Sequence, residues 1–182
     1  HVSFHINGGP VSMEDKYFEV VARDTDIAMQ VCTAGNLRTT LLCAEMARKH
    51  GAFERFLIAT DTPTGSGVMP LGLIYTISQI ASLTSFAVPE LIAAATGNVA
   101  KCYGLNSGFL KPSYDADIVL IDAPLGGTRV DALAALKNGD PCAIGAVMTA
   151  GVPRFVGRSN NTPPPLRETS VLRSNVMNMF QG

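Results

Sequence analysis

The 182 residues and mass of 19.2 kDa suit one domain, or one and a fraction, and are enough to bury a core. A hydrophobic share of 47% excludes a disordered chain, and a net charge of −1 gives no support for nucleic-acid binding. Charged residues make up 16%, below the usual ~25%, which favours an oligomer or a piece of a larger protein. No apolar run is long enough to predict a membrane-spanning helix. The four cysteines are irregularly spaced, which indicates reduced thiols in a cytoplasmic protein.

Strands and helices are predicted to alternate over the first part of the chain. The strands are predicted at 2–6, 26–32 and 56–60, and the helices at 12–23, 37–50, 70–83, 88–95 and 98–103. Ser12 is the predicted N-cap of the first helix. Residues 56–60 are apolar without alternation, which is typical of a strand buried on both faces. The order predicts a parallel sheet with crossover helices.

The pattern changes after residue 104. A Gly/Pro-rich segment is followed by a predicted strand at 117–122, a short helix at 130–138 and a strand-turn-strand at 144–153, which together indicate a second, β-rich unit. Residues 159–182 contain Thr-Pro-Pro-Pro and no apolar period, so we expect an extended or disordered tail there. The predicted domains are therefore 1–104, 105–158 and the tail.

His5 and Asp61 stand at the predicted carboxyl ends of strands, where parallel α/β folds bind their ligands. An imidazole and a carboxylate suit a divalent transition metal such as Zn²⁺, and Asp61 could also act as a general base. Each residue also has a structural interpretation: His5 as a hydrogen-bonded strand-end residue, and Asp61 as an Asx turn or helix cap. Two candidates do not complete a zinc site, which needs at least three protein ligands.

A Gly-rich loop follows Asp61 and contains Gly65, Ser66 and Gly67. It is not a nucleophile elbow, because Ser66 is flanked directly by glycines, and no phosphate-loop lysine follows it. The loop is predicted to face the substrate, with a plain linker as the alternative. Asn7, in the turn after His5, is a fourth candidate substrate contact beside these three residues.

Three segments make the chain, to about residue 165, resemble the C-terminal part of the metal-dependent amidohydrolase superfamily. They are 2–10, 57–67 and 95–122, the last being similar to the superfamily's return from its barrel to a small β-sandwich. The first two, with Asn-Asn-Thr-Pro-Pro at 160–164, resemble the enamidase branch, whose members open a cyclic amide. Pro112-Ser113 departs from the family, which usually has Gly there.

The resemblance implies an α/β fold: the last three βα units of a (β/α)8 TIM barrel, plus part of the β-sandwich. It implies that His5 is a metal ligand after the sixth strand. Asp61, after the eighth strand, would bind metal and carry a proton to the leaving nitrogen. The family's other metal ligands would lie upstream of His1, so the chain is expected to be a fragment that is inactive alone.

The implied activity is hydrolysis of a cyclic amide C–N bond by water activated on Zn²⁺, with Fe²⁺ as the alternative metal. The implied partners are a small-molecule cyclic amide and, for the full-length protein, further copies of itself, a tetramer being one option, with no nucleic acid and no membrane. Two alternatives stay open. One is another branch of the superfamily, such as hydantoinase, dihydroorotase, imidazolonepropionase or deaminase. The other is a non-catalytic partial chain that acts as an assembly module.

Overall fold

The computed structural model describes residues 1–9, 12–62, 67–158 and 160–171. The chain divides into two compact units, His1–Phe109 and Leu110–Gly182. Within the described ranges, no helix has the length and apolar character needed to cross a lipid bilayer.

The first unit contains a three-stranded parallel sheet in the order β1-β2-β3. Its strands are β1 (Val2–Ser3), β2 (Ala28–Cys32) and β3 (Phe56–Ala59). Its helices are α1 (Asp15–Asp24), α2 (Leu37–Lys49), α3 (Gly72–Leu83), α4 (Val88–Ala95) and α5 (Gly97–Tyr103), with one 3₁₀ turn at Phe53–Arg55. The predicted parallel sheet with crossover helices is confirmed.

The core of this unit lies around β3, whose apolar side chains are buried in succession. Phe56, Leu57 and Ile58 are each at most 2% exposed to solvent, as the apolar run without alternation predicted. The Phe53 ring stacks between Phe56 and Phe86, with centroid separations of 5.3 and 5.1 Å. Full burial of side chains of this size contributes about 1.5–3 kcal/mol each, so β3 makes a large contribution to the core.

Most predicted elements differ from the structure by one to three residues in their bounds, and the first strand and the first helix were wrong for reasons that the structure shows. The first strand ends at Ser3, because the chain turns away from the sheet over residues 4–7. Helix α1 begins at Asp15, and Ser12 does not cap it; the Ser12 hydroxyl donates to the Met13 carbonyl instead. No side-chain hydrogen bond caps α1; Asp15 in its first turn and the burial of Phe18 and Ala22 support the helix instead.

The second unit contains an antiparallel sheet in the order β4-β5-β6. Its elements are β4 (Ile118–Asp122), α6 (Ala132–Asn138), β5 (Ala143–Thr149) and β6 (Val152–Val156). The Asp131 carboxylate caps α6 by accepting a hydrogen bond from the Ala134 N–H at 2.8 Å. The predicted β-rich unit is thus confirmed.

Residues 160–171, here named the C-terminal strap, are held beside the end of β4. The Leu166 N–H donates to the Ala123 carbonyl, and the Leu125 N–H donates to the Pro164 carbonyl, both at 2.8 Å. The carboxylate of Asp122 accepts from the Arg167 backbone N–H at 2.8 Å and from its guanidinium. The rest of the predicted tail, residues 159 and 172–182, lies outside the described residues.

Candidate functional site

His5 and Asp61 meet at the carboxyl edge of the parallel sheet. Each residue lies two positions after the last residue of its strand, β1 for His5 and β3 for Asp61. These are the outer strands, about 9–10 Å apart, so the two side chains must converge over the end of β2. They do so: His5 Nε2 lies 3.7 Å from Asp61 Oδ2, with the side chains 27% and 33% exposed.

Both residues adopt a backbone conformation that residues other than glycine rarely adopt. The φ angle is +52° at His5 and +59° at Asp61. The left-handed region costs a residue with a Cβ about 1–2 kcal/mol, so surrounding contacts must hold both residues there. Strained residues of this kind cluster at sites of function, and the two found among the described residues of the first unit face each other.

The His5 imidazole has a buried nitrogen that lacks a hydrogen-bond partner. Nε2 is inaccessible to solvent and makes no hydrogen bond within the described part of the chain. At 3.7 Å it is too far from the Asp61 carboxylate for a hydrogen bond. Two ligands of one zinc ion lie at most about 4 Å apart, since each stands about 2 Å from the metal. The spacing and the unsatisfied nitrogen therefore fit a shared cation.

The pair is not a complete metal centre by itself. Across the described residues, no three His, Cys, Asp or Glu side chains come together in a group that could hold an ion. Zinc requires at least three protein ligands. His5 and Asp61 therefore supply at most two ligands within the described residues.

A buried thiol lies between the two residues, at the end of β2. Cys32 is 2% exposed and accepts a long hydrogen bond from Gln30 Nε2 at 3.7 Å. Burial raises the pKa of Cys32, and the negative charge of Asp61 raises it further, so the group is a neutral thiol at neutral pH. Sequence reasoning did not place Cys32 at the site, although its position at the carboxyl end of β2 was a usable signal.

The four candidate substrate contacts have different outcomes. Asn7 is 0% exposed and directs its amide to the end of β2, not to solvent. Gly67 has a φ of +75° and no neighbour within 4 Å of an added Cβ, so it lies in open space. Gly65 and Ser66 lie outside the described residues.

The remaining histidines do not join the site. His50 caps the end of α2, and its Nε2 lies 3.0 Å from Glu19 Oε1, in agreement with a structural role at a helix C-terminus. The backbone carbonyl of His1 accepts from the Ala28 N–H at 2.9 Å, which leaves His1 at the start of β1.

Comparison with known sequences places these residues in a wider context. The profile of the amidohydrolase family matches residues 8–154. The enamidase of Eubacterium barkeri is 35% identical over 168 residues, which cover 92% of this chain and 43% of the relative. The 5-methylthioadenosine/S-adenosylhomocysteine deaminase 1 of Archaeoglobus fulgidus is 32% identical over 124 residues, or 62% of this chain and 28% of the relative.

Solved structures give the same relationship. A crystal structure of enamidase, described as a member of the amidohydrolase superfamily, matches with a TM-score of 0.90 at 34% identity, covering 94% of this chain and 44% of that one. The β-aspartyl dipeptidase of Fervidobacterium islandicum matches with a TM-score of 0.56 at 17% identity, over 91% of this chain and 41% of that one, which shows a shared fold. The chain spans less than half the length of the relatives it matches.

Proposed function

Because the chain belongs to the amidohydrolase family, we propose that it forms the C-terminal part of a metal-dependent hydrolase that opens a cyclic amide at its C–N bond. The observation that carries the proposal is the meeting of His5 and Asp61 at the carboxyl edge of the sheet, with His5 Nε2 buried and unsatisfied. The choice of a cyclic amide rests on the similarity to enamidase.

The proposed architecture assigns residues 1–104 to the last three βα units of a TIM barrel and 105–158 to part of a β-sandwich. Three parallel strands with following helices, and the match to the enamidase structure, support it. A barrel of eight such units needs about 200 residues or more, so the proposal places the other strands and ligands in a longer protein that carries this chain.

His5 and Asp61 would hold a divalent cation, Zn²⁺ or alternatively Fe²⁺, together with ligands outside this chain. When bound, such an ion supplies a Lewis acid and lowers the pKa of water to about 7. The imidazole is suited to this position because its Nε2 has no competing hydrogen bond among the described residues.

Asp61 is the proposed carrier of the proton. Its carboxylate is one-third exposed and therefore accessible to both water and substrate. Asp61 takes a proton from the attacking water, whose oxygen bonds to the carbonyl carbon, and gives that proton to the ring nitrogen as the C–N bond breaks. The ring opens, and the carboxyl and amino groups remain on one product molecule. Positioned proton transfer of this kind contributes typically 10²–10⁴-fold to a rate.

A deaminase is the second candidate, because the Archaeoglobus fulgidus relative carries that activity and is 32% identical over its matched part. The same Asp61 would then protonate a departing amino group, and ammonia would leave instead of a ring opening. Release of ammonia from an aminopurine nucleoside, without hydrolysis of cyclic amides, would favour this candidate.

Replacing Asp61 in the full-length protein tests the proposed role. We expect Asp61→Asn to lower the turnover of a cyclic amide about 10²-fold or more, because an amide cannot accept the proton. The matched control is Asp26→Asn, an exposed carboxyl before β2, at the opposite end of the strand. Turnover is measured with circular dichroism as a check on folding. A near-normal rate in Asp61→Asn removes this residue from the mechanism.

A further inference from the structure

The side chain of Asn7 takes the place of a backbone peptide group beside β2. Its Nδ2 donates to the Cys32 carbonyl at 2.9 Å, and its Oδ1 accepts from the Cys32 N–H, also at 2.9 Å. One side-chain amide thus satisfies both backbone groups of the last residue of β2. In a parallel sheet, those groups would ordinarily pair with the neighbouring strand.

Because the Asn7 amide replaces a backbone group, the chain can leave the sheet at His5. The Ile6 N–H still donates to the Gln30 carbonyl at 2.9 Å, and the Gly8 N–H turns back to the His5 carbonyl at 2.9 Å. The two residues after His5 are therefore hydrogen-bonded to β2, Ile6 through its backbone and Asn7 through its side chain. Held by these hydrogen bonds, the His5 backbone keeps the left-handed conformation that a regular strand would not permit.

The Asn7 amide is enclosed by residues at the start of α2. Its second N–H donates to Thr40 Oγ1 at 2.7 Å, and the Thr40 hydroxyl donates onward to the Asn36 carbonyl at 2.9 Å. Gly35 packs directly on it: a Cβ added at Gly35 would come under 3.0 Å from the amide, which real Cβ atoms essentially never do. We name Asn7, Gly35 and Thr40 the Asn7 clamp.

We propose that the Asn7 clamp is a positioning unit that sets where His5 Nε2 stands relative to Asp61, and through it the affinity of the site for a divalent cation. The inference rests on the proposed function, since it needs His5 to be a ligand. Metal–ligand distances tolerate only about ±0.2 Å, so a turn that relaxes by more than this displaces the imidazole from the cation. Both polar atoms of the Asn7 amide are already bonded, to Cys32 and Thr40, so Asn7 acts by holding the turn and not as a ligand.

The test measures the dissociation constant of Zn²⁺ for the full-length protein, by competition with a chromophoric chelator, together with the melting temperature of the metal-free protein. Gly35→Ala drives a methyl group into the Asn7 amide, and Asn7→Ala removes the amide. Gly9→Ala is the matched control, because it makes the same change in the loop after His5 where an added Cβ meets nothing within 4 Å.

Two variants at Thr40 disturb the clamp less and can be used if Asn7→Ala does not fold. Thr40→Val keeps the shape but leaves one N–H of Asn7 unpaired, whereas Thr40→Ser restores the hydroxyl. His5→Ala is the reference that tests the ligand itself.

We expect Gly35→Ala and Asn7→Ala to weaken Zn²⁺ binding about 10- to 100-fold, the usual cost of losing a group that orients a ligand. Thr40→Val should weaken binding less, while Thr40→Ser and Gly9→Ala should bind as the unaltered protein does. If the clamp variants lower the melting temperature but keep the original affinity, the clamp only stabilises the fold and the inference is overturned. If His5→Ala also keeps the original affinity, the proposed role of His5 has failed, which is a separate result.

Discussion

At the scale of single residues, the site depends on two side chains held in a strained backbone conformation. Their meeting at one edge was predictable, because His5 and Asp61 follow predicted strands and the carboxyl ends of parallel strands share an edge. Their conformation was not predictable. The alternating pattern of residues 2–6 indicates a strand through His5, and nothing local shows that the Asn7 side chain will replace a peptide group at Cys32. That contact joins residues 25 positions apart.

Burial of the cysteines gives a prediction at the same scale. Cys102 is exposed, whereas Cys32, Cys43 and Cys142 are buried. Burial raises the pKa of Cys43 to about 12 and that of Cys142 to about 11, so these thiols stay protonated and unreactive at pH 8. We expect one fast-reacting thiol when the 182-residue chain is treated with a disulfide reagent, and Cys102→Ser should abolish that fast phase. Three or four fast thiols would contradict the described packing.

At the scale of elements, the described helices and strands follow the predicted order closely, because long apolar periods determine them. Errors occur at the end of β1, where the Asn7 side chain replaces a backbone group, and at the start of α1, where the predicted Ser12 cap does not form. The position of the C-terminal strap was likewise not predictable from a local sequence pattern. It has no apolar period, yet hydrogen bonds to β4 and to Ala123 and Leu125 hold it in place. Such contacts depend on tertiary structure that a local pattern does not encode.

The ion pair between strap and sheet gives a prediction with a defined pH dependence. Arg167 lowers the pKa of Asp122 below its ordinary value of about 4, so the pair stabilises the fold above that pH and loses its effect as the pH falls through the lowered pKa. We expect Asp122→Asn to reduce the free energy of unfolding by about 1 kcal/mol at pH 7, because the Arg167 side chain is 71% exposed and the pair is screened.

Thermal or urea unfolding of the full-length protein at pH 7 and pH 3 measures this effect. The difference between the unaltered chain and Asp122→Asn should shrink at pH 3. Glu168→Gln, an exposed carboxyl in the same strap, is the control and should change stability little at either pH. An equal difference at both pH values would show that the charge of Asp122 does not contribute.

At the scale of the whole molecule, fold class and family were predictable because they rest on several segments whose order is itself informative. The sheet of the first unit has β1 and β3 as its edges within the described ranges. Parallel sheets usually have both faces covered, and unpaired edges favour association with other chains. The ligands that would complete the site could not be predicted, since no sequence pattern in this chain contains them.

These open edges predict the behaviour of the 182-residue chain on its own. We expect it to self-associate, and to show little or no amide hydrolysis, because two ligands do not hold a catalytic ion. Size-exclusion chromatography with light scattering, followed by a hydrolysis assay, measures both properties. A monomeric, cooperatively folded chain with clear turnover would contradict the proposal that it is part of a larger barrel.

The central claim is that His5 and Asp61 belong to a metal-dependent amide hydrolase, and removal of metal from the full-length protein tests it most directly. Turnover of a cyclic amide would be measured in the protein as purified, after chelation, and after Zn²⁺ or Fe²⁺ is added back. We predict that chelation abolishes turnover and that added metal restores it, but that metal restores nothing in His5→Ala. Full turnover in the metal-free protein, or full restoration in His5→Ala, would contradict the account.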